Sequence, residues 1–434
     1  MDFTTLPGIY SRSLRSTPIN WQGDPLKVVS LGCGSHSTLA PEAIADLKNA
    51  SVIFGSSHHF EETSQIETNA EKICFPSPFS DLRNMLEARQ DKKIAVLASG
   101  DALFYGVGSW LIRLIGDAHL VFRPNISSIQ YCFHALGLPW QHAEIVSLHG
   151  RPLHSLRRHI KPNQLIAILT DKKSNPRVIA NELVKQGYGE SRVWVCEAMA
   201  QNEQLINRFS ALELSKHHAE FNALNICIIQ FSPCDPNTHR ELPTFPGIAD
   251  EHFITGSKPG FGMISKREIR LVILSMMSPE NGEIAWDIGA GCGSLSVEWA
   301  RWNNQGQMYA IEQNEHRIDN LIANSEKFGT TLNLTPIQGT APQACGSLPD
   351  PDSIFIGGSS GLGQILDFAW GRLKSGGKLV ASAVTEESRK SLEEFMNNKP
   401  QRQWVTLEVE KNLPGKNQNR KLKPVTIAAC KKTG

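Results

Sequence analysis

The chain has 434 residues, 40% of them hydrophobic and 20% charged, which excludes extensive disorder and is enough for the cores of two or three domains. Its 44 Lys and Arg balance 43 Asp and Glu, so no global positive field attracts nucleic acid or anionic lipid. No apolar run approaches the ~20 residues of a membrane helix, and no signal peptide is recognisable. The nine cysteines form no CxxC pair, so we expect reduced thiols, no metal site and a cytoplasmic protein.

Short β-rich runs alternate with longer helix-compatible stretches along most of the chain. Seven such runs predict an α/β domain over residues 26–232. Four prolines then lie among polar residues, a composition that disfavours helix and strand interiors, so we predict a linker over 233–250. Seven further runs predict a second α/β domain over 251–434, and the two halves share no repeat. The strands predicted for the second domain lie at 284–288, 308–312, 332–337, 353–356, 379–384, 404–409 and 425–429.

Polar turns follow two predicted strands of the first domain. One is Ala98-Ser-Gly-Asp-Ala-Leu-Phe-Tyr-Gly106, and the other is Arg123-Pro-Asn-Ile-Ser-Ser128. Open α/β sheets bind ligands at the carboxyl ends of their strands, so both turns are candidate binding loops. From the residues alone, an Asp that follows Gly, such as Asp101, is more typical of a helix cap than of a ligand contact.

These turns, together with Ser147-Leu-His-Gly-Arg151 and Ile168-Leu-Thr-Asp171, resemble the class III, tetrapyrrole-type S-adenosylmethionine methyltransferases, and among them the corrin C5 methyltransferases. The resemblance runs over roughly residues 26–231. The first turn, Gly32-Cys-Gly-Ser-His-Ser37, departs from the Gly-Pro-Gly-Asp form that is common in the class. The resemblance implies cofactor contacts, around its methionine part, from Ser99, Asp101, Phe104, Ser127 and Ser128.

A glycine-rich turn marks the second domain. Asp287-Ile-Gly-Ala-Gly-Cys-Gly293 follows an apolar run and precedes a helical pattern, so its backbone amides and the helix dipole can hold a small polar ligand. A dinucleotide loop would place a third glycine where the chain has Ser294. Glu312 ends the next predicted strand, where a carboxylate can accept hydrogen bonds from both hydroxyls of a ribose. The pattern therefore favours a nucleoside over a dinucleotide.

This turn and the following acid resemble the class I S-adenosylmethionine methyltransferases, which implies a Rossmann-like sheet of seven strands with a reversed last hairpin. More narrowly, residues 262–270, 309–312, 339–344 and 356–359 resemble the decarboxylating corrin C15 methyltransferases, with similarity from about residue 247 to the C-terminus. Ser265 stands where we expect Thr, and Thr340 where that family usually has Asp. The resemblance implies cofactor contacts from Ser265, Gly289, Ala290, Gly291, Cys292, Gly293, Glu312 and Ala341.

The segment after the fourth strand of the second domain bears on the methyl acceptor. It reads Ile354-Phe-Ile-Gly-Gly-Ser-Ser-Gly361 and contains no Asp or Asn that could polarise the exocyclic amine of a base. A carbon acceptor in a conjugated small molecule needs no such group, because its own π-electrons attack the methyl group while the enzyme aligns it and excludes water.

Together, the two resemblances imply a class III fold followed by a class I fold, in a bifunctional enzyme that methylates C5 and C15 of a precorrin, precorrin-6B or its cobalt form, and decarboxylates it in cobalamin biosynthesis. We expect a homo-oligomer without nucleic-acid or membrane partners. Two alternatives stay open: an NAD-dependent oxidoreductase, and an RNA methyltransferase with an accessory domain, motivated by the basic residues 411–423.

A substrate with many carboxylates requires local cations. The candidates in the first half lie in a His-Gly turn, which could equally be structural. Those in the second half could equally be exposed charges of a helix. The candidate substrate contacts are His149, Arg151, Lys266, Arg267 and Arg270.

Overall fold

The structure is a computed structural model that describes residues 18–33, 39–235, 246–357, 361–412 and 419–433. Their contacts divide them into two compact units. The N-terminal unit comprises the described residues of 12–151 and 162–238, and the C-terminal unit comprises 152–161 and the described residues from 239 onward. Four predicted features lie partly outside the described residues: the first turn at 34–37, the linker at 236–245, the segment at 358–360 and the basic stretch at 413–418.

The N-terminal unit contains ten strands in two sheets. They are β1 (Leu26–Ser30), β2 (Val52–Gly55), β3 (Glu71–Cys74), β4 (Ile94–Ala98), β5 (Leu120–Arg123), β6 (Glu144–Ser147), β7 (Leu165–Leu169), β8 (Arg192–Glu197), β9 (Leu205–Ser210) and β10 (Asn225–Gln230). The first sheet is parallel with the order β3-β2-β4-β1-β5, and the second has the order β6-β7-β10-β8-β9, antiparallel except for β6 and β7. Strands β2, β3 and β9 were not predicted from the sequence.

Both faces of the parallel sheet are covered, which explains the continuous apolar sequence of its central strands. All five residues of β4 are buried, with Val96 in one apolar cluster and Leu97 in another on the opposite face. The helices of the unit are α1 (Pro41–Asn49), α2 (Ser57–Glu62), α3 (Leu82–Glu87), α4 (Gly108–Ile115), α5 (Ser128–Leu136), α6 (Pro176–Lys185) and α7 (Ala211–Ser215).

The C-terminal unit is built on a seven-stranded sheet and a two-stranded hairpin. Its strands are β11 (Ile284–Ile288), β12 (Gln307–Glu312), β13 (Leu334–Gln338), β14 (Ser353–Ile356), β15 (Lys378–Ala383), β16 (Gln403–Leu407), β17 (Glu410–Asn412), β18 (Asn419–Lys421) and β19 (Val425–Lys431). The order of the sheet is β13-β12-β11-β14-β15-β19-β16, and only β19 runs against the others. The predicted seven strands with a reversed last hairpin are confirmed.

Helices cover both faces of this sheet. They are α8 (Arg267–Met277), α9 (Ser294–Trp302), α10 (Glu315–Lys327), α11 (Leu362–Arg372) and α12 (Glu386–Met396). The side chains of β11 alternate between the two faces, with Ala285 packed in the cluster of α8 to α10 and Trp286 in the cluster of α11 and α12. Short 3-10 helices lie at Phe79–Asp81, Asp117–His119, Leu153–His159, Asp250–His252 and Gln343–Cys345.

Residues 152–161 belong to the C-terminal unit, although their neighbours on both sides in sequence belong to the N-terminal unit. Nε2 of His154 lies 2.8 Å from the hydroxyl of Thr331, and Arg158 donates to the side chain of Asn333 at 3.1 Å. The predicted first domain, 26–232, includes this segment, whereas the contacts in the structure group it with the C-terminal unit. In the parts of the chain that the structure describes, no helix combines the length and apolarity that crossing a membrane requires.

Candidate active sites

The glycine loop of the C-terminal unit connects β11 to α9. Gly289, Gly291 and Gly293 have φ values of 82°, 59° and 79°, a region that glycine adopts without strain. The amides of Gly289 and Ala290 donate to the carbonyl of Ile311 at 2.9 and 3.0 Å. The loop is therefore fixed against the carboxyl end of β12.

Two of the three glycines serve different purposes. A Cβ atom on Gly293 would lie 2.7 Å from Cγ of Leu321, so this glycine allows α9 to pack closely on α10. A Cβ atom on Gly289 would have no neighbour closer than 3.8 Å, and Gly289 is exposed. Gly289 thus leaves free backbone surface for a ligand, whereas Gly293 is needed for packing.

Glu312 is the last residue of β12 and is only 4% exposed. Backbone amides fix the position of its carboxylate. Its Oε2 accepts from the amide of Gly291 and its Oε1 from the amide of Asn314, both at 2.9 Å. Nη1 of Arg317 lies 3.6 Å from Oε1. A carboxylate has about four acceptor positions, so each oxygen can accept a further bond from a ligand hydroxyl.

Asp287 lies buried in β11, directly behind the loop. The hydroxyl of Ser296 donates to its Oδ2, whereas Oδ1 is buried without a hydrogen-bond donor among the described residues. Burial raises the pKa of Asp287 to about 7; the bond from Ser296 lowers this pKa, and the charge of Glu312 raises it. Asp287 is therefore a group behind the site that titrates near neutral pH.

Two neighbouring segments bring further predicted contacts to the loop. The carbonyl oxygen of Met263, two residues before the exposed Ser265, would lie 3.4 Å from a Cβ atom on Gly291. The amide of Gly339 donates to the carbonyl of Glu312 at 3.0 Å, so the segment that carries Ala341 starts beside this residue. Ala341 itself is buried. The structure thus places both segments around the glycine loop.

The cysteine of the glycine loop is not placed as a nucleophile. Cys292 is buried within the loop, and burial raises the pKa of its thiol, so a thiolate is disfavoured there. All nine cysteines are free. Within the described residues, no group of three or more His, Cys, Asp or Glu side chains is arranged to hold a metal ion.

Arg270 does not occupy the position that we predicted for a substrate contact. Its guanidinium is 0% exposed and lies 2.8 Å from Asp250 and 2.8 Å from Glu298. It also donates to the carbonyls of Ser265 and Ile248. Because these acceptors use the guanidinium inside the protein, the prediction that Arg270 binds a substrate carboxylate is wrong, and the residue anchors α8 in the core.

The two other cations of this helix start are closer to solvent. Nζ of Lys266 is directed to the carbonyl of Gly260 at 2.7 Å and lies 3.8 Å from Asp250. Arg267 is exposed at the first position of α8. Of the three cations predicted here, Arg267 is the most accessible.

The N-terminal unit has a second candidate site, at the carboxyl edge of its parallel sheet. The backbones of Gly32 and Gly100 pair at 3.0 and 2.6 Å, and the hydroxyl of Ser30 accepts from the amide of Ala102 at 3.0 Å. These bonds join the loop after β4 to the end of β1. This loop carries the predicted contacts Ser99, Asp101 and Phe104.

The side chains of these loops differ in their freedom. Oδ1 of Asp101 accepts from the amide of Leu103 at 2.8 Å, a turn within the loop, and Phe104 packs on an apolar cluster. Ser127 caps α5, because its hydroxyl accepts from the amide of Gln130 at 3.2 Å. Ser128 is the first residue of that helix. Asp101 is thus no helix cap, whereas Ser127 is.

The turn at His149, Gly150 and Arg151 is anchored by a hydrogen bond to Asp171. The Asp171 carboxylate accepts from the amide of Gly150 at 2.9 Å, and such backbone donors, chiefly that of Ser174, lower its pKa. His149 is exposed, and the guanidinium of Arg151 lies 5.8 Å from the ring centre of Tyr105. The two substrate candidates are therefore held on one turn, with Arg151 near the loop after β4.

Sequence reasoning missed His59, which contacts a predicted site residue. Its Nε2 lies 2.8 Å from the hydroxyl of Ser99. His59 follows β2, which pairs with β4 in parallel, so both strands end at the same edge. Because β2 was not predicted, no pattern in the sequence placed residue 59 beside residue 99.

Comparison with known proteins identifies both units. The family described as tetrapyrrole (corrin/porphyrin) methylases matches residues 25–214, and the family described as precorrin methyltransferase domain matches residues 260–428. A Sinorhizobium protein named precorrin-6Y C(5,15)-methyltransferase [decarboxylating] is 36% identical over 364 residues, which are 83% of this chain and 85% of that protein.

Two shorter relatives each match one part of the chain. A Salmonella typhimurium protein named cobalt-precorrin-7 C(5)-methyltransferase is 31% identical over 184 residues, 42% of this chain and 89% of its own length. A crystal structure described as precorrin-6y C5,15-methyltransferase from Geobacter metallireducens is 34% identical, covers 43% of this chain and 97% of its own, and has a TM-score of 0.40.

These relationships decide among the functional classes considered above. They confirm the predicted combination of two methyltransferase folds, and they give no support to an oxidoreductase or an RNA methyltransferase. The similarity at 36% identity covers 83% of this chain, so it extends into both units. The chain belongs to the family of decarboxylating precorrin-6Y C(5,15)-methyltransferases.

Proposed function

We propose that each unit binds S-adenosylmethionine, and that the chain methylates C5 and C15 of a precorrin and removes the ring C acetate carboxyl group as CO2, in cobalamin biosynthesis. The observation that carries this proposal is the carboxylate of Glu312, which two backbone amides fix beside a glycine loop with open backbone surface. The substrate is precorrin-6B or its cobalt form. The name of the Sinorhizobium relative mentions no cobalt, whereas the name of the Salmonella typhimurium relative does.

In the C-terminal unit, the arrangement fits a nucleoside. The free acceptor positions of Glu312 suit the two hydroxyls of a ribose, and the exposed backbone at Gly289 allows close approach. The remaining contacts that we propose are the loop residues Ala290, Gly291, Cys292 and Gly293, together with Ser265 and Ala341.

In the N-terminal unit, the loops after β4 and β5 are the proposed cofactor site. Ser99 is exposed, and the loop that carries it is tied to the end of β1 by the Gly32–Gly100 pair. An exposed hydroxyl on a fixed loop suits the carboxylate of an amino acid. The contacts that we propose here are Ser99, Asp101, Phe104, Ser127 and Ser128.

The substrate contacts that we propose are cations able to meet carboxylates of the macrocycle. In the N-terminal unit these are Arg151 and the neighbouring His149, and in the C-terminal unit Lys266 and Arg267. Arg270 is not among them, because its guanidinium is already paired with Asp250 and Glu298 inside the protein.

The main contribution that the reaction requires from the protein is the alignment of the methyl donor with its acceptor. S-adenosylmethionine, when bound, supplies an electrophilic methyl group on its sulfonium. Glu312, Ser99 and the two loops bind and orient, and holding two reactants in line accounts for much of the rate enhancement of a displacement. During decarboxylation the conjugated system of the precorrin receives the electron pair, so the protein need only hold the macrocycle. We assign no residue to proton transfer.

Binding stoichiometry tests the proposal on the full-length chain. In equilibrium dialysis with methyl-labelled S-adenosylmethionine, we expect two equivalents bound. Glu312→Ala should weaken one of them by roughly a hundredfold, since hydrogen bonds to a charged group contribute ~1.5 to 3 kcal/mol each. Glu315→Ala, an exposed carboxylate at the start of α10, is the matched control and should bind two.

The product identifies the reaction. With purified precorrin-6B, and separately with its cobalt form, mass spectrometry should show a gain of two labelled methyl groups and a loss of one CO2. A wild-type chain that binds fewer than two equivalents, or a corrinoid that gains no label, would refute the assignment. From the nine free cysteines we further propose a cytoplasmic enzyme, and we propose a homo-oligomer, which light scattering can check.

A further inference from the structure

The N-terminal unit contains a buried histidine that the functions proposed above do not use. His59 lies in α2 and is only 6% exposed. Both of its ring nitrogens have partners: the amide of Ser56 lies 3.1 Å from Nδ1, and the hydroxyl of Ser99 lies 2.8 Å from Nε2. These two contacts fix the orientation of the ring. A neutral ring has one N–H proton, so it can donate to only one of the two partners.

The partner at Nδ1 determines where the proton is. A backbone amide can only donate, so Nδ1 must be the unprotonated acceptor and the proton of the neutral ring must lie on Nε2. Burial, with a smaller effect of His58, lowers the pKa of His59 to about 4, so the ring is neutral at physiological pH. Nε2 of His59 therefore donates to Ser99.

This bond restricts the hydroxyl of Ser99. Its oxygen accepts from His59, so its own proton is available for donation, and no acceptor among the described residues receives it. Ser99 is exposed and lies on the loop after β4. The arrangement therefore presents an oriented O–H donor at the carboxyl edge of the parallel sheet, which suits an anionic acceptor.

The support behind His59 is rigid. Ser56 and His59 form a reciprocal capping box at the start of α2, and Thr63 donates to the carbonyl of His59 at 2.8 Å. The ring of Phe75 packs edge-on, with 6.1 Å between ring centres. A Cβ atom on Gly55 would approach Cβ of His59 to 3.3 Å, so the space is closely filled.

We propose that His59 is a positioning residue, which holds the hydroxyl of Ser99 as a hydrogen-bond donor toward the carboxylate of S-adenosylmethionine. This inference rests on the proposed cofactor site of the N-terminal unit. It assigns His59 no contact with the cofactor, so its effect on binding should pass through Ser99.

A double-mutant cycle tests this dependence in the full-length chain. Glu312→Ala serves as background to silence the C-terminal site, and calorimetry measures the affinity for S-adenosylmethionine. We expect His59→Leu and Ser99→Ala each to weaken binding by roughly tenfold, the effect of one hydrogen bond, and the double variant to be no weaker than either. His59→Gln, which can place an amide donor near the position of Nε2, should recover part of the loss. His58→Leu, an exposed neighbour, is the control and should bind normally.

The outcomes are distinct. If the losses of His59→Leu and Ser99→Ala multiply to about a hundredfold, His59 acts on its own and the inference is wrong. If Ser99→Ala binds normally, Ser99 is not a cofactor contact and the inference also fails. If the Glu312→Ala background binds no cofactor, the proposed N-terminal site itself is refuted.

The tautomer can be measured without a substitution that affects folding. In the full-length protein labelled with ¹⁵N-histidine, we expect the signals that His59→Gln removes to be those of a neutral ring at pH 7 with its proton on Nε2. A signal for His59 typical of imidazolium, or of a proton on Nδ1, would overturn the inference.

Discussion

Arg270 allows the sharpest test of how the C-terminal unit is held together. Arg270→Met keeps the apolar length of the side chain but removes the guanidinium between Asp250 and Glu298, whose side chains are 8% and 2% exposed. Breaking a buried ion pair from one side costs about 3 to 5 kcal/mol, because a charge is left buried without its partner. Glu298 still accepts from the amides of Gly247 and Ile248, so we expect the lower part of this range, about 3 kcal/mol.

The assay must report on one unit of a two-unit chain. Urea titration followed by hydrogen exchange of peptides from residues 246–357 gives the free energy of unfolding of the C-terminal unit. The control is Arg267→Met, an exposed position on the same helix, which should change stability by less than about 0.5 kcal/mol. Arg270→Met combined with Glu298→Gln should regain part of the loss. A loss below about 1 kcal/mol for Arg270→Met would refute the structural role of Arg270. The hypothesis that Arg270 binds substrate would then be open again.

Two further predictions concern the glycine loop and the acid behind it. Gly293→Ala should destabilise the C-terminal unit by about 2 to 4 kcal/mol, from ~1 kcal/mol of backbone strain plus the contact with Leu321, whereas Gly289→Ala should cost only the strain but weaken cofactor binding. Urea unfolding and calorimetry separate the two effects, and equal losses of stability would contradict the different roles. Asp287 has a folded-state pKa of about 7, above its ordinary 3.8, so the folded state disfavours its ionised form. The stability of the unit should therefore fall as pH rises from about 4 to 7, by up to roughly 4 kcal/mol, and unfolding curves of Asp287→Asn should lack this slope.

The parts of the fold that could be predicted are those in which local pattern and tertiary environment agree. The central strands β11 and β14 of the seven-stranded sheet each carry an apolar run bounded by polar turns, and their burial shows why. The glycine loop and Glu312 were recognisable for a related reason. The loop follows β11 and Glu312 ends β12, the next parallel strand, so their positions in sequence already imply that they meet at one edge.

Edge strands and buried charges could not be predicted in this way. The strand β3, Glu71–Cys74, is largely exposed at the edge of its sheet and has no apolar alternation. Lys266, Arg267 and Arg270 all look like surface cations of one helix in the sequence. Only the tertiary structure distinguishes Arg270, because its partners Asp250 and Glu298 come from other segments of the chain.

The two candidate sites both hold a polar group in a fixed orientation, but the partners that fix this group differ. Each has a polar group at the carboxyl edge of a parallel sheet, and each group is fixed before a ligand arrives: Glu312 by the amides of Gly291 and Asn314, and Ser99 by His59. A group that is already oriented loses less conformational freedom on binding, so more of its interaction energy contributes to affinity. The two groups also have opposite hydrogen-bonding character, an acceptor suited to hydroxyls and a donor suited to a carboxylate. Under the proposed function, weakening the support behind either group should therefore weaken cofactor binding in that unit, even where the group itself is unchanged.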